Sequence, residues 1–183
     1  MRKTVLTFGL ISGSILSIMM LATLPFMDSI GFDRAEVIGY TTMVLAFLLI
    51  FFGVRSYRDN VAGGSVSFGR ALAVGALIAV VASICYVVTW QIIYYKLAPD
   101  FVEKYQAYTI EKARASGESQ VAIDKRIVDM QRFAEMYRNP VINAAVTFIE
   151  PLPVGLVFAL VSAGILGRRR QRRMRSEGAL AAM

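Results

Sequence analysis

Four long apolar runs, separated by short polar segments, set the pattern of this chain. Residues 4–26, 37–54 and 71–95 contain no charge, and residues 141–167 contain one, Glu150. A bilayer core of about 30 Å takes about 20 helical residues to cross, so each run is predicted to be a membrane-spanning helix. Strands would be about half as long and would alternate in polarity, because lipid offers no partner for an open backbone edge. The fold class expected is therefore all-α: an integral membrane four-helix bundle over residues 1–167, with a basic tail at 168–183.

The chain opens with Arg2 and Lys3 before its first apolar run, as a secretory signal does. The uncharged stretch from Thr4 to Met27 outlasts the ~7–15 apolar residues of a cleaved signal, so it is expected to stay as the first span. Basic residues then orient the bundle. Arg2 and Lys3 precede span 1, Arg55, Arg58 and Arg70 lie between spans 2 and 3, and a run of arginines follows span 4. The short connection M27-D-S-I-G-F-D-R-A-E36 is acidic. By the excess of Lys and Arg on the cytoplasmic side, both termini and the middle loop are expected inside, and the other two connections outside.

The connection between spans 3 and 4 is the only long one. Within it residues 98–138 are expected to form an extracytoplasmic helical hairpin: Pro99 and Asp100 suit a helix start, S116-G-E-S119 a break, and Asn139-Pro140 an end. Ile123, Ile127, Met130, Ala134 and Tyr137 recur on one face of its second helix, and Phe101, Tyr105 and Tyr108 on its first. These stripes suit packing between helices. Eight basic and seven acidic residues between Lys96 and Asn139 are interspersed, as on a solvated surface.

Composition removes several chemistries. With 183 residues and 56% hydrophobic content, the chain has room for one membrane-embedded domain. It has no His and one Cys, so an intramolecular disulfide is impossible and the common zinc, haem and Cys/His catalytic sites lack their ligands. No cofactor and no metal is expected, and an enzyme is the least favoured class. The net charge of +7 comes largely from Arg168, Arg169, Arg170, Arg172, Arg173 and Arg175. No aromatic residue interleaves them, so nucleic acid is not the expected partner. They read as a stop-transfer signal that attracts anionic lipid head groups, at about 1 kcal/mol per residue near the surface.

Small residues recur every fourth position in three spans: Gly9, Gly13 and Ser17; Ala71, Gly75, Ala79 and Ser83; Gly155, Ala159, Ala163 and Gly167. In lipid, helices associate through close approach at such residues. The stripes fit an internal seam or a homo-oligomer seam equally well. In the middle loop, Arg55, Arg58, Asp59 and Arg70 surround a Gly-Gly turn; Asp59 is expected to pair with Arg55 or Arg58, and Ser67 to cap span 3. The loop lacks the Lys of a phosphate-binding G-x-x-x-x-G-K-[ST] motif.

G-V-R-S-Y-R-D59, G-G-S-V-S-F-G-R70, Y-V-V-T-W-Q91, A-P-D-F-V-E-K-Y105, M-Y-R-N-P140 and T-F-I-E-P-L-P-V-G155 occur in this order. In these motifs the chain resembles the membrane proteins grouped as domain-of-unknown-function family 4199 (DUF4199). The likeness covers nearly everything from span 1 to the end of span 4. It implies a four-helix protein of a Gram-negative inner membrane, and it implies no activity.

Glu150 is the most informative single residue. It lies eighteen positions before Arg168, about 27 Å along a helix, near the outward edge of the hydrocarbon. Pro151 and Pro153 follow it, and proline costs about 3 kcal/mol in a helix interior but little in a first turn. A new helix is therefore expected to begin at Pro151 with Glu150 as its N-cap, leaving the carbonyls of Thr147 and Ile149 partly free. Tyr86, Trp90 and Gln91 on span 3 are candidate neighbours at similar depth, with Tyr40 on span 2. Two roles stay open: a structural cap, or a working carboxylate for protons, cations or a ligand. Accordingly two functions are weighed first. One is a structural or accessory membrane protein acting through a membrane-protein partner or a second copy; the other is a small transporter or channel using Glu150. Glu150→Gln is expected to lower the thermal midpoint in detergent less than Glu150→Leu, because an amide keeps a hydrogen-bond acceptor where leucine has none. Identical melting of all three proteins would refute a hydrogen-bonding role for this side chain.

Overall fold

The computed structural model describes residues 1–167; the arginine run and the rest of the 168–183 tail lie outside the described residues. Helix α1 spans Arg2–Thr23 and is followed by a 3-10 turn, Leu24–Phe26, and the single-turn α2, Met27–Ile30. Gly31 turns the chain into α3, Phe32–Asn60. Helix α4 covers Phe68–Ile92 and runs on as a π-helical turn, Ile93–Leu97. Helices α5, Phe101–Ala115, and α6, Gln120–Tyr137, precede α7, Pro140–Ile149, and α8, Pro151–Gly167. Among the described residues there is no strand. Four segments are long and apolar enough to cross a membrane: Arg2–Ile30, Phe32–Asn60, Phe68–Leu97 and Pro140–Gly167.

These helices run past the apolar stretches that announce them. The segment Asp33–Glu36, read from sequence as part of an acidic loop, is the first turn of α3, and Arg55–Asn60 is its last. A charge ends a helix's stay in lipid without ending its hydrogen bonding. Backbone conformation ends it instead: after Asn60, Gly63 and Gly64 take φ of +67° and +84°, values that side chains with a Cβ rarely adopt. Asn139-Pro140 likewise does more than stop α6. The Asn139 side chain accepts from Val141 N at 2.9 Å, so it caps α7, and Pro140 occupies the first helical position. Ser119 caps α6 in the same way, through Ala122 N. Ser67 occupies the N-cap position of α4, but its side chain makes no capping bond.

Helix α4 is the hub, packing on α1, α3, α7 and α8. Its small stripe meets that of α8. A Cβ added at Gly75 would lie 2.8 Å from Ala159 Cβ, and one at Gly155 would lie 2.7 Å from Ala79 Cβ. The α1 stripe meets another face of α4, where a Cβ at Gly13 would lie 2.6 Å from Cys85 Cβ. The three stripes are thus spent inside the chain, which decides the seam that the sequence left open in favour of an internal one. Phe47, Met43, Ile50 and Val54 of α3 close the core, each at most 2% exposed.

The bundle's surface and interior follow the polarity expected for lipid. Large apolar side chains such as Ile18 (63% exposed), Leu45, Val88 and Ile165 point outward. Polar ones are turned in: Ser12 Oγ donates to Ala46 O at 3.0 Å, joining α1 to α3, and Thr89 Oγ1 donates to Ser17 Oγ at 2.7 Å, joining α4 to α1. Water would penalise such an apolar exterior, and hydrocarbon accepts it.

If close approach at α4 holds the bundle, Gly75→Val overpacks the seam and should cost about 1–3 kcal/mol, read as a lower melting temperature in detergent. Gly164→Ala, where an added Cβ meets nothing within 4 Å, is the control and should leave the melting temperature unchanged or slightly raised. Equal effects of the two substitutions would rule out the seam.

Candidate functional site

Where α4 meets α7, polar side chains line up by helical spacing. Helix α4 presents Tyr86 and Trp90 with Gln91 beside them, while Asn143, Thr147 and Glu150 follow one another at four and three residues along one face of the α7 segment. Gln91 Nε2 donates to Asn143 Oδ1 at 3.0 Å, and Asn143 Nδ2 reaches back to Tyr137 O at 3.4 Å. Trp90 Nε1 donates to the Tyr137 hydroxyl at 2.8 Å, and that hydroxyl shares a 3.1 Å hydrogen bond with Thr147 Oγ1. Tyr95 Oη donates to Arg138 O. Last in the ladder, Tyr86 Oη donates to Glu150 Oε2 at 3.0 Å. Burial pushes the Tyr137 phenol pKa up, so it stays a neutral donor and acceptor.

The ladder corrects the expected role of Glu150. Its backbone is helical, at φ −63° and ψ −58°, whereas an N-cap is extended. Its carboxylate takes the Tyr86 hydroxyl across the helix interface, so it acts as an acceptor between helices rather than as a cap. The interruption itself lies where the prolines put it: α7 ends at Ile149 and α8 starts at Pro151. Pro151 and Pro153 carry no N–H, so Thr147 and Ile149 lose the donors that would sit four residues on. Of the sequence candidates, Tyr86 joins Glu150 directly, while Trp90 and Gln91 serve the same interface one turn away through Tyr137 and Asn143. Asn143, Thr147 and Tyr137 complete the ladder; the first two share the face of Glu150 at helical spacing, which was the available signal.

Glu150 also opens onto a cavity of about 760 Å³. Its walls come from the end of α1, the start of α3, the last turns of α4, helices α5 and α6, and the α7–α8 joint. The lining is mostly apolar and includes Met19, Met20, Met27 and Met130, flexible side chains that adapt to varied shapes. Helix α5 covers one side by enclosing Phe32 with Phe101, Tyr105 and Tyr108, ring centroids lying 5.7, 5.4 and 5.1 Å away. The stripe expected to serve helix packing therefore does so against α3 and walls the cavity at the same time. Lys112 pairs with Asp33 alongside, a contact that holds the Lys112 ammonium above its ordinary pKa. Arg126 closes a second pair with Glu118 at 2.7 Å.

The candidates of the loop between α3 and α4 sit at the other end of α3 from this cavity. Asp59 receives Arg58 through two bonds, of 2.6 and 3.1 Å, and Arg55 at 3.7 Å. The paired, nearly buried Arg58 ties down the end of α3, and Arg70 is exposed and stands apart from the trio. Arg168, Arg169, Arg170, Arg172, Arg173 and Arg175 fall outside the described residues. Among the described residues no group of three or more His, Cys, Asp or Glu is arranged to hold a metal ion.

No curated protein and no solved structure matches the chain. The family described as "Protein of unknown function (DUF4199)" matches residues 7–168, from the first turns of α1 to the start of the arginine run. Every helix from α2 onward, most of α1, and the whole ladder with its cavity fall within that match, and the chain belongs to the DUF4199 family.

Proposed function

We propose that the chain is a multi-pass protein of a bacterial inner membrane, with both termini cytoplasmic and helices α5 and α6 on the outer side, that binds a small molecule in the cavity beside Glu150 for transport or delivery. The observation that carries this reading is an accessible carboxylate at a proline-broken helix, lining a cavity of about 760 Å³ with a phenol as its hydrogen-bond partner. That volume lies within the ~300–1,000 Å³ typical of small-molecule sites. Interrupted spans with freed carbonyls are a recurring way to bring polar groups to a ligand inside a membrane. The role proposed is binding; catalysis is the less favoured reading because the chain has no His and one Cys.

One observation favours the accessory role as a second reading. Outside the four spans, α6 exposes Val121 (80%) and Val128, seven residues apart on one face. Such a pair suits a partner helix. Native mass spectrometry of the protein purified from its own membrane separates the two. A small molecule retained by the wild type and lost in Glu150→Leu supports the binding role; a stoichiometric protein partner, with no bound small molecule, would move the conclusion to the accessory role.

Orientation is tested by thiol labelling in a Cys85→Ser background. Val146→Cys, on the cavity wall, should react with an impermeant maleimide in intact spheroplasts. Ser65→Cys, between α3 and α4, should react only after lysis. Labelling of Ser65→Cys in intact spheroplasts would reverse the proposed orientation.

A further inference from the structure

Charge on the cavity wall is not balanced. The lining holds the carboxylates Asp33, Glu36, Glu118 and Glu150 and the cations Lys112 and Arg126. Lys112 is engaged by Asp33 and Arg126 by Glu118, and among the described residues neither Glu36 nor Glu150 has a cationic partner within salt-bridge distance. An anion entering here would face two uncompensated carboxylates, and a neutral molecule would leave them as they are. A cation alone gains from both.

The rest of the wall narrows the kind of cation. Three helices each present a pair of residues one turn apart: Glu36 and Tyr40 from α3, Tyr86 and Trp90 from α4, Val146 and Glu150 from the α7 segment. Carboxylates thus share the wall with aromatic rings, whose faces attract ammonium-type cations and do so more strongly away from water. A hard metal ion would want six or more oxygen ligands, and no suitable cluster exists among the described residues. The remaining lining is apolar and methionine-rich, which a hydrated ion cannot use and a hydrophobic body can.

Resting on the binding role proposed above, we infer that the occupant is a free lipophilic organic cation, a bulky amine or quaternary onium ion, held between Glu36 and Glu150 with its apolar body against Tyr40, Tyr86 and Trp90. The site reads charge through the two carboxylates and accepts varied apolar shapes through the methionines.

Trp90 is the chain's single tryptophan and lies on the wall, so its fluorescence reports occupancy directly. The purified full chain in neutral detergent is titrated with tetraphenylphosphonium, its isosteric anion tetraphenylborate, and neutral triphenylphosphine oxide. The expected result is a saturable change with the phosphonium alone, an apparent Kd raised at least tenfold in Glu150→Gln, and a smaller rise in Glu36→Gln. Glu36 is exposed on its helix, so that variant tests the charge even if Glu150→Gln misfolds. Equal binding of the borate, or phosphonium binding indifferent to both substitutions, would overturn the cation inference while leaving a working cavity. Competitive displacement of the phosphonium by an ethanolamine phospholipid would also overturn it, in favour of a lipid head group as occupant. Silence of Trp90 toward all three probes would remove the binding role and the inference together.

Discussion

Helices in lipid gain almost nothing by burying apolar surface, and this constraint explains how the α4 seam is built. A leucine is as well solvated by acyl chains as by another helix, so association relies on short van der Waals contact and on internal satisfaction of polar atoms. Gly75 against Ala159 and Ala79 against Gly155 bring α4 and α8 so close that an added Cβ at either glycine would fall within 3 Å of its neighbour. Close approach on one face leaves the others of α4 free for α1, α3 and α7. A hub helix of larger residues would have held its neighbours further off, and the polar groups at its α5–α6 end would not meet.

That meeting is the second layer of the structure. The bonds of Trp90, Gln91 and Tyr86 to Tyr137, Asn143 and Glu150 tie α4 to the end of α6 and to the α7 segment, which the small stripe does not reach, since α7 carries none. Interhelical hydrogen bonds in membranes average about 0.6 kcal/mol and reach about 1.7, so several in one ladder compare with the loss of one core contact. Seam and ladder divide the fourth segment between them: small residues anchor α8, polar residues anchor α7, and the proline-marked joint lies in between.

The sequence showed the four spans, the three stripes and the start of a helix at Pro151, because length, polarity and proline chemistry act locally. It showed Tyr86, Trp90 and Gln91 as a group at the depth of Glu150. It did not show which of them reaches the carboxylate, since the rotation of one helix against another depends on contacts that no single segment encodes. Asn143 was hidden for a related reason. Its spacing puts it on the face of Thr147 and Glu150, but as one amide in an apolar run it gains a partner only when Gln91 stands opposite. Glu36 was counted as a loop charge because the acidic connection was read for its sign; only the turn at Gly31, with φ of +76°, shows that the helix has already begun there and aims Glu36 at the cavity.

Glu150 and its prolines make sense together once both anchors are in place. A carboxylate near the edge of the hydrocarbon is tolerated if it has a donor and an opening, and it has Tyr86 on one side and the cavity on the other. The prolines leave two carbonyls without helical donors at the same level, which makes the surroundings of the carboxylate richer in acceptors than an unbroken helix would allow. Because α7 and α8 are each fixed by a different kind of contact, the broken joint is held from both directions and does not need its own hydrogen bonds to keep its shape. A group of acceptors is thereby held in place by packed elements on either side, the kind of support that a binding site needs.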